Sequence, residues 1–246
     1  MADADINICM GIDSSASICN GPLGVGGCED CKDKCNSGGQ DKSVCCNNFA
    51  NMLEFSRSLF QLLGDLPSKQ DYSIVHFSNR ATTVSTRQNA TQARDTIRTL
   101  IYEGSGTNTA EAINACQSTL DDAPADRKNL MFLLTDGLPS GSSVHSQDDA
   151  KSAATNAKNK GTIILPIVIQ DKIGKDGTAF LTNDISSGRN FVFTPDFESL
   201  GYFQDTIFEQ VVCQSPPDCT KLDKEACKEG VGAQTCKWGS KGCVDV

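Results

Sequence analysis

Three oxygen-bearing side chains follow the first apolar segment of the chain at alternating positions. Asp13, Ser15 and Ser17 come directly after Ile6–Ile12, a run whose apolar content predicts a buried β-strand. Open α/β sheets bind their ligands beyond the carboxyl ends of the strands. Carboxylate and hydroxyl oxygens are donors that Mg²⁺ and Ca²⁺ prefer. The same residue types also crowd into ordinary turns, so a cation site requires further ligands from elsewhere in the chain.

Two later loops are candidates to supply those ligands. The first is glycine-rich, spans residues 103–109 and holds Thr107 just before a predicted helix. The second holds Asp136 and Gly137, which follow Asn129–Thr135. That continuous apolar run is typical of a strand covered on both faces, as in a parallel sheet. Each loop therefore lies at a strand end or a helix start, where a ligand site is expected.

The three motifs together resemble the metal-ion-dependent adhesion site of von Willebrand factor type A domains, the family that includes the integrin inserted domains. All three occur in the family's order, each on the expected element. The resemblance assigns residues 3–213 to such a domain and implies its Rossmann-like α/β fold, a mostly parallel central sheet with helices on both faces. The alternation of strand-like and helix-like segments indicates the same fold class.

The resemblance also implies five metal ligands and five residues of a ligand-binding rim. The metal ligands are Asp13, Ser15, Ser17, Thr107 and Asp136. The rim residues are Gly106, Asn108, Thr109, Gly137 and His145. The hydroxyls would bind the cation, and the two carboxylates would bind it directly or through water while orienting the hydroxyls. Thr109 competes with Thr107 for the ligand role, and the family pattern favours Thr107.

This ligand set predicts a binding function. Three neutral hydroxyls and two carboxylates under-neutralise a hard cation and leave it an electrophilic position, which an Asp or Glu of a partner protein would fill. We expect Mg²⁺, with Mn²⁺ or Ca²⁺ as alternatives. The resemblance thus implies an adhesion module and no enzyme. The alternative is a structural extracellular-matrix protein that self-associates, with the metal incidental.

Apolar periodicity predicts the elements that position these loops. Helices are expected at 47–63, 149–160 and 195–212, with two more around Ala93–Ile101 and after Thr109. Strands are expected at 72–77, 81–86, 129–135, 162–169 and 189–194, the second as a hairpin partner of the first. Pro166 cannot donate to a β-ladder, so we expect a bulge or a locally unpaired edge there.

The 13 cysteines are concentrated in two segments. Six lie within a Gly-rich insertion, residues 18–46, and most others lie in a C-terminal module, residues 214–246. Such clusters indicate disulfides and an extracellular protein. Cys28 and Cys31 also have the spacing of a redox or zinc motif. Cys9 and Cys116 stand apart and are expected either as buried thiols or as a bridge to each other.

Both cysteine-rich segments have two interpretations. The insertion leaves the chain at the proposed metal rim, where it either shapes ligand access or points away. The tail is either a stapled linker or an interaction module of its own. No signal peptide precedes the first strand, so we expect a mature fragment with an added start Met. The triplet Asn89-Ala-Thr91 is a glycosylation sequon that fits secretion.

Charge and motif content exclude other classes of function. The net charge is −9 without a block of basic residues, which argues against nucleic-acid binding. No apolar run is long enough to insert into a membrane. There is no nucleophile elbow, phosphate loop or dinucleotide fingerprint. Of the two histidines, His76 is expected inside a strand, and His145 follows the Asp136 loop.

Overall fold

The structure, a computed structural model, describes residues 5–19, 47–66, 68–139, 147–188, 236–239 and 242–245. Its strands are β1 Ile6–Asp13, β2 Gln70–Phe77, β3 Ala81–Gln88, β4 Lys128–Thr135, β5 Ile163–Val168, β6 Cys236–Gly239 and β7 Gly242–Asp245. Its helices are α1 Ala16–Cys19, α2 Asn47–Gly64, α3 Ala90–Arg98, α4 Thr109–Asp121, α5 Gln147–Asn159 and α6 Gln170–Phe180. A π-helical turn, Leu181–Ile185, follows α6.

The five long strands form one sheet in the order β3-β2-β1-β4-β5, in which only β3 is antiparallel to its neighbour. Ile12 pairs with both His76 and Leu134, so the carboxyl ends of β1, β2 and β4 meet at one edge. We call this edge the carboxyl pole. The predicted α/β fold, with a mostly parallel sheet, is confirmed.

Each face of the sheet carries its own apolar core. Side chains alternate across a strand, so β1 turns Ile8, Met10 and Ile12 towards α2 and α3 and turns Cys9 towards α4 and α5. On the first face Phe60 of α2 packs against Tyr72, with ring centroids 4.5 Å apart. Burial of each such large side chain stabilises the fold by about 1.5–3 kcal/mol. Helices therefore cover both faces of β1, the strand that leads into the first motif.

Pro166 matches the second of its two predicted alternatives, the locally unpaired edge. It pairs opposite Leu133 in a regular parallel ladder without a bulge. Ile169 donates its N–H to Thr135, whereas Ile164 donates to the Ser187 hydroxyl on the other side of β5. Because N–H groups alternate between the two sides of a strand, Pro166 shares the side of Ile164. The β4–β5 ladder therefore needs no donor at this position. The bulge does not form, and the proline nitrogen lies on the outer side of β5, the edge strand of the described sheet.

The helix predicted around Ala93–Ile101 ends earlier, at Arg98. Thr99 closes it, because its N–H and its hydroxyl both donate to the Thr96 carbonyl. Leu100 remains in the core, whereas Ile101 is 54% exposed. Thr99 thus begins the connection that leads to the Thr107 loop.

Several predictions concern residues outside the described ranges. These are most of the 18–46 insertion, His145, the strand at 189–194, the helix at 195–212 and most of the tail. Within the tail, β6 and β7 form an antiparallel hairpin. In the part of the chain that the structure describes, no helix combines the length and apolarity needed to cross a membrane.

Candidate metal centre

Asp13, the last residue of β1, is fully buried at the carboxyl pole. Its Oδ1 accepts a hydrogen bond of 2.7 Å from the backbone N–H of Ser15. Its Oδ2 accepts a hydrogen bond of 2.6 Å from the hydroxyl of Thr135, the last residue of β4. The carboxylate is therefore held from two strands at once, and it fixes the turn that carries Ser15.

The two serines of the first motif contact the third motif. Ser15 Oγ and Ser17 Oγ lie 3.1 Å apart, and Ser17 Oγ donates a 2.6 Å hydrogen bond to Asp136 Oδ1. Ser17 and Asp136 are 119 positions apart in the chain. The structure thus joins a hydroxyl that follows β1 to a carboxylate that follows β4.

The Thr107 loop is fixed to the first motif by backbone hydrogen bonds. Gly104 donates to the Ser14 carbonyl at 2.9 Å, and Ala16 donates to the Ser105 carbonyl at 2.7 Å. Gly104 has a φ of +69°, a left-handed conformation that favours glycine. Thr107 itself is buried. The loop therefore lies directly beside the turn that holds the two serines.

Gly137 brings the three motifs to one point. A Cβ atom at this position would lie 3.3 Å from Ser17 Oγ and 3.8 Å from Thr107 Oγ1. The two hydroxyls therefore approach the same small space, next to Asp136. Any larger residue at 137 would place carbon between them, which explains the glycine in the Asp-Gly dipeptide.

The other described rim residues have structural roles. Asn108 caps α4, because its Oδ1 accepts from the Glu111 N–H and its Nδ2 donates to the Asn79 carbonyl. Thr109 is the buried first residue of α4, and its hydroxyl has no hydrogen-bond partner among the described residues. Gly106 is half-buried in the same loop.

The electrostatics of the site are those of concentrated negative charge. The pKa of the Asp13 carboxyl is raised to about 7, first by burial and second by the nearby Asp136 carboxylate. Hydrogen bonds from Thr135 and Ser15 act in the opposite direction and lower it. A cation between these groups would relieve both unfavourable effects. The donors of this site are all oxygens, and three of the five are hydroxyls. Within the described ranges, no group of three or more His, Cys, Asp or Glu side chains could hold a metal by itself, so a cation here would depend on the hydroxyls as well as on the two carboxylates. The residues present therefore fit a hard divalent cation.

Sequence reasoning missed two contributors to this site. Thr135 orients Asp13 through its hydroxyl. Tyr102 contacts the turn of the first motif. The Tyr102 hydroxyl donates to the Ala16 carbonyl at 3.3 Å, and its ring packs on Phe49. The position of Thr135, at the end of a strand and directly before Asp136, was the one available signal.

His76 is a buried residue of β2, as predicted. Burial lowers its pKa to about 4, so the imidazole is neutral near pH 7. Its Nδ1 lies 3.6 Å from Glu103 Oε1, and its ring packs near Phe49. This histidine therefore packs in the core next to Glu103, the first residue of the glycine-rich loop that holds Thr107.

Comparison with known proteins places these features in a family. The von Willebrand factor type A domain profile matches residues 41–206. The match begins after the first motif, which the cysteine-rich insertion separates from the rest of the domain. No curated protein matches the chain.

Solved structures share the fold at low identity. Proximal thread matrix protein 1 from the mussel byssus, solved with a zinc-occupied MIDAS motif, is 17% identical, with a TM-score of 0.63. The alignment covers 86% of this chain and 47% of the mussel protein, so the chain spans about half that protein's length. The manganese-loaded TRAP protein of Plasmodium vivax is 16% identical over 84% and 75% of the two chains, with a TM-score of 0.57.

The pilus adhesin SpaC of Lactobacillus rhamnosus GG is a further example, 12% identical with a TM-score of 0.65. The alignment covers 86% of this chain and 31% of SpaC. At these identities the structures establish the fold alone, whereas the sequence profile identifies the family. Because that profile spans well over half of the 246 residues, the chain belongs to the von Willebrand factor type A domain family.

Proposed function

We propose that this protein is an extracellular adhesion module that binds an acidic residue of a partner protein through a divalent cation at the carboxyl pole. The contact between Ser17 Oγ and Asp136 Oδ1 carries this proposal, together with the approach of Thr107 Oγ1 to Gly137, the glycine that Ser17 Oγ also approaches. It joins parts of all three motifs in one buried oxygen-rich cluster. The mussel and Plasmodium proteins, solved with zinc and with manganese, support a divalent cation.

The cation would be held by the hydroxyls of Ser15, Ser17 and Thr107 and by the carboxylates of Asp13 and Asp136. When bound, it would supply a Lewis-acidic position for a carboxylate oxygen of the partner. Mg²⁺ suits an all-oxygen ligand set best, and Mn²⁺ and Ca²⁺ are alternatives. Where the two carboxylates act through water, the direct ligands of the cation would be neutral hydroxyls, and the cation would remain electrophilic enough to take one further carboxylate.

The protein's own contribution is preorganisation. Asp13 accepts the Ser15 N–H and so fixes the turn in which the hydroxyls point together. Thr135 holds the other oxygen of Asp13, and Asp136 orients Ser17. Mutation of groups that orient metal ligands in this way typically lowers metal affinity by about 10- to 100-fold. These contacts serve the binding of a cation and its ligand.

Thermal unfolding of two matched variants tests the cation site. In the parent protein, Mg²⁺ at a hundred times its dissociation constant should add roughly 2.7 kcal/mol to the free energy of unfolding. Asp136→Asn should abolish that gain. Asp126→Asn removes the same charge from an exposed loop at the opposite end of β4 and should leave the gain intact. An equal Mg²⁺ gain in all three proteins would refute a site at Asp136.

Selection from a displayed peptide library tests the acidic ligand. Peptides retained by the protein in Mg²⁺ and released by chelator should share an Asp or Glu. Exchange of that residue for Asn or Gln should abolish binding, because an amide lacks the charge that the cation attracts. Retained peptides that bind equally well in chelator, or that keep their affinity after this exchange, would contradict the proposal.

An extracellular location is part of the proposal. Cys9 and Cys116 form a disulfide in the structure, and disulfides persist in oxidising compartments. The fold neighbours named for the byssus and for a pilus are consistent with such a location. The net charge of −9 gives no basis for nucleic-acid binding.

A second candidate function is a matrix component that self-associates with the metal incidental. The fold similarity to a proximal thread matrix protein favours it. Sedimentation over a range of concentrations separates the two functions. Self-association that persists in chelator and in Asp136→Asn would support the matrix component. A protein that stays monomeric both with and without chelator would contradict the matrix component and leave the adhesion module as the remaining candidate.

A further inference from the structure

We propose that the Cys9–Cys116 disulfide is a positioning crosslink of the metal centre, an inference that rests on the function proposed above. Cys9 lies on β1, the strand that ends at Asp13. Cys116 lies on α4, the helix that begins directly after the Thr107 loop. The bond thus joins the strand that precedes the first motif to the helix that follows the second motif.

The location of the bond is what gives it this role. Both cysteines are fully buried, and their Cα atoms lie 5.5 Å apart. Around them α4 contacts the sheet through ordinary apolar side chains such as Ile113, Leu120 and Val75. Apolar contacts are non-directional, and the buried hydrogen bond from the Thr162 hydroxyl to Gln117 ties α4 to the residue before β5 and not to β1. Neither fixes the position of α4 along β1 as a covalent bond does. The disulfide adds a covalent restraint against a slide of α4 along β1.

A slide of α4 would act directly on the site. Asn108 caps this helix and directly follows Thr107, so the end of the loop and the start of the helix are one continuous segment. Hydrogen bonds from Asn108 to the Ser78 and Asn79 carbonyls tie this segment to the residues after β2, and the disulfide restrains the same helix one strand further along the sheet. A shift of this segment would change the position of Thr107 relative to Ser17. Ligand constellations need to be held to within about 0.5 Å of their productive geometry. A crosslink between β1 and α4 therefore affects cation affinity as well as stability.

Thermodynamic linkage makes a reciprocal demand. If the disulfide increases cation affinity by some factor, a bound cation must make the disulfide harder to reduce by the same factor. Reduction by a dithiol breaks the Cys9–Cys116 bond. The two sulfurs take two electrons and two protons from the reductant, which becomes a cyclic disulfide. Where the reduced protein stays folded, as circular dichroism would check, a crosslink that only stabilises the fold would show no such dependence on the cation.

The first experiment measures Mg²⁺ affinity by titration calorimetry, well below the melting temperature. Cys9→Ala/Cys116→Ala should bind Mg²⁺ about tenfold more weakly than the parent, within the range for groups that orient metal ligands. Leu120→Ala is the matched control, because it removes buried contacts from the same helix without touching the bond. It should keep its affinity within about twofold. Equal affinity in the double variant and the parent would overturn the inference.

The second experiment uses the unmutated protein, so it does not depend on the variant folding. The protein is equilibrated with ratios of reduced to oxidised dithiothreitol, and alkylation of Cys9 and Cys116 is followed by mass spectrometry. Saturating Mg²⁺ should move the midpoint ratio about tenfold towards stronger reducing conditions. An unchanged midpoint would refute the crosslink's role even if the parent binds Mg²⁺. A parent without Mg²⁺ binding would refute the proposed function, and this inference with it.

Discussion

The two ends of the central strands carry carboxylate clusters that are treated in opposite ways. At the amino end, which we call the amino pole, Asp71 of β2 lies 2.8 Å from Arg127 Nη1, and Asp5 lies 3.7 Å from Arg127 Nε. The chain therefore supplies its own cation there. At the carboxyl pole Asp13 is surrounded by hydroxyls, a backbone N–H and a second carboxylate.

The contrast separates a structural cluster from a candidate site. Both clusters are acidic and lie at strand ends, so acidity and position do not distinguish them. What differs is the source of the neutralising charge. The arginine side chain at the amino pole is 8% exposed and committed to two partners. Asp13 at the carboxyl pole has a pKa raised to about 7, which indicates charge that the chain itself leaves uncompensated.

The pH dependence of stability gives the largest expected difference between the poles. Asp13 has a folded-state pKa near 7, raised above its unfolded value of 3.8. Between these values the folded state binds more protons, so without a divalent cation the free energy of unfolding should fall as pH rises from about 4 to about 7. One full proton corresponds to a slope of about 1.4 kcal/mol per pH unit.

Urea unfolding in chelator across this pH range measures the slope. Asp13→Asn should flatten it, because the amide does not titrate. Asp71→Asn, at the amino pole, should leave it in place. A parent protein whose stability is flat or rises across the window would contradict the uncompensated charge at Asp13.

Loss of the Arg127 charge at the amino pole should have the next largest effect on stability. Arg127→Met should destabilise the protein by about 3 kcal/mol, because it leaves the partly buried Asp71 carboxylate without its main partner. Arg98→Met removes an arginine that is 61% exposed and pairs, among the described residues, with Asp95 of its own helix, and it should cost less than about 1 kcal/mol.

Denaturant unfolding with and without Mg²⁺ completes this comparison. Arg127→Met should lower stability equally in both conditions, since the amino pole takes no part in cation binding. A Mg²⁺-stabilisation that disappears in Arg127→Met would mean that the two poles are coupled, and the distinction between them would be wrong.

Much of the fold could be predicted because apolar pattern fixes element type. The run Asn129–Thr135 has no polar interruption and becomes β4. The alanine stripe of α5, Ala150, Ala153, Ala154 and Ala157, is buried as its spacing requires. The residues of the three motifs could be named for a related reason, since each follows a strand or precedes a helix that the pattern already defines.

The remaining features depend on packing between elements, which local pattern does not encode. Whether Cys9 meets Cys116 depends on which helix covers which face of β1. The Thr135 hydroxyl bonds to Asp13 only because β1 and β4 are neighbours in the sheet. Leu100 carries a helical spacing but lies beyond the end of α3, because burial in the core continues where the helix does not.

The smallest expected effect compares two asparagine caps at opposite poles. Asn89 caps α3 at the amino pole, where its Oδ1 accepts from the Gln92 N–H and its side chain is exposed. Asn108 caps α4 at the carboxyl pole, is buried, and also holds the Asn79 carbonyl. Loss of an asparagine cap typically costs about 1 kcal/mol. Asn89→Ala should therefore lower the free energy of unfolding by about 1 kcal/mol. Asn108→Ala should lower it somewhat more, because it also removes the buried hydrogen bond to the Asn79 carbonyl.

Cation affinity should distinguish the two cap variants more clearly than stability does. Asn89→Ala should bind Mg²⁺ as the parent does, because its helix begins far from the three motifs. Asn108→Ala should bind it more weakly, by several-fold, because the cap anchors the segment that carries Thr107. Titration calorimetry on both variants under identical conditions makes the comparison. Equal Mg²⁺ affinities in the two would mean that the backbone hydrogen bonds of Gly104 and Asn108 suffice to hold the loop, and that the cap serves the helix alone.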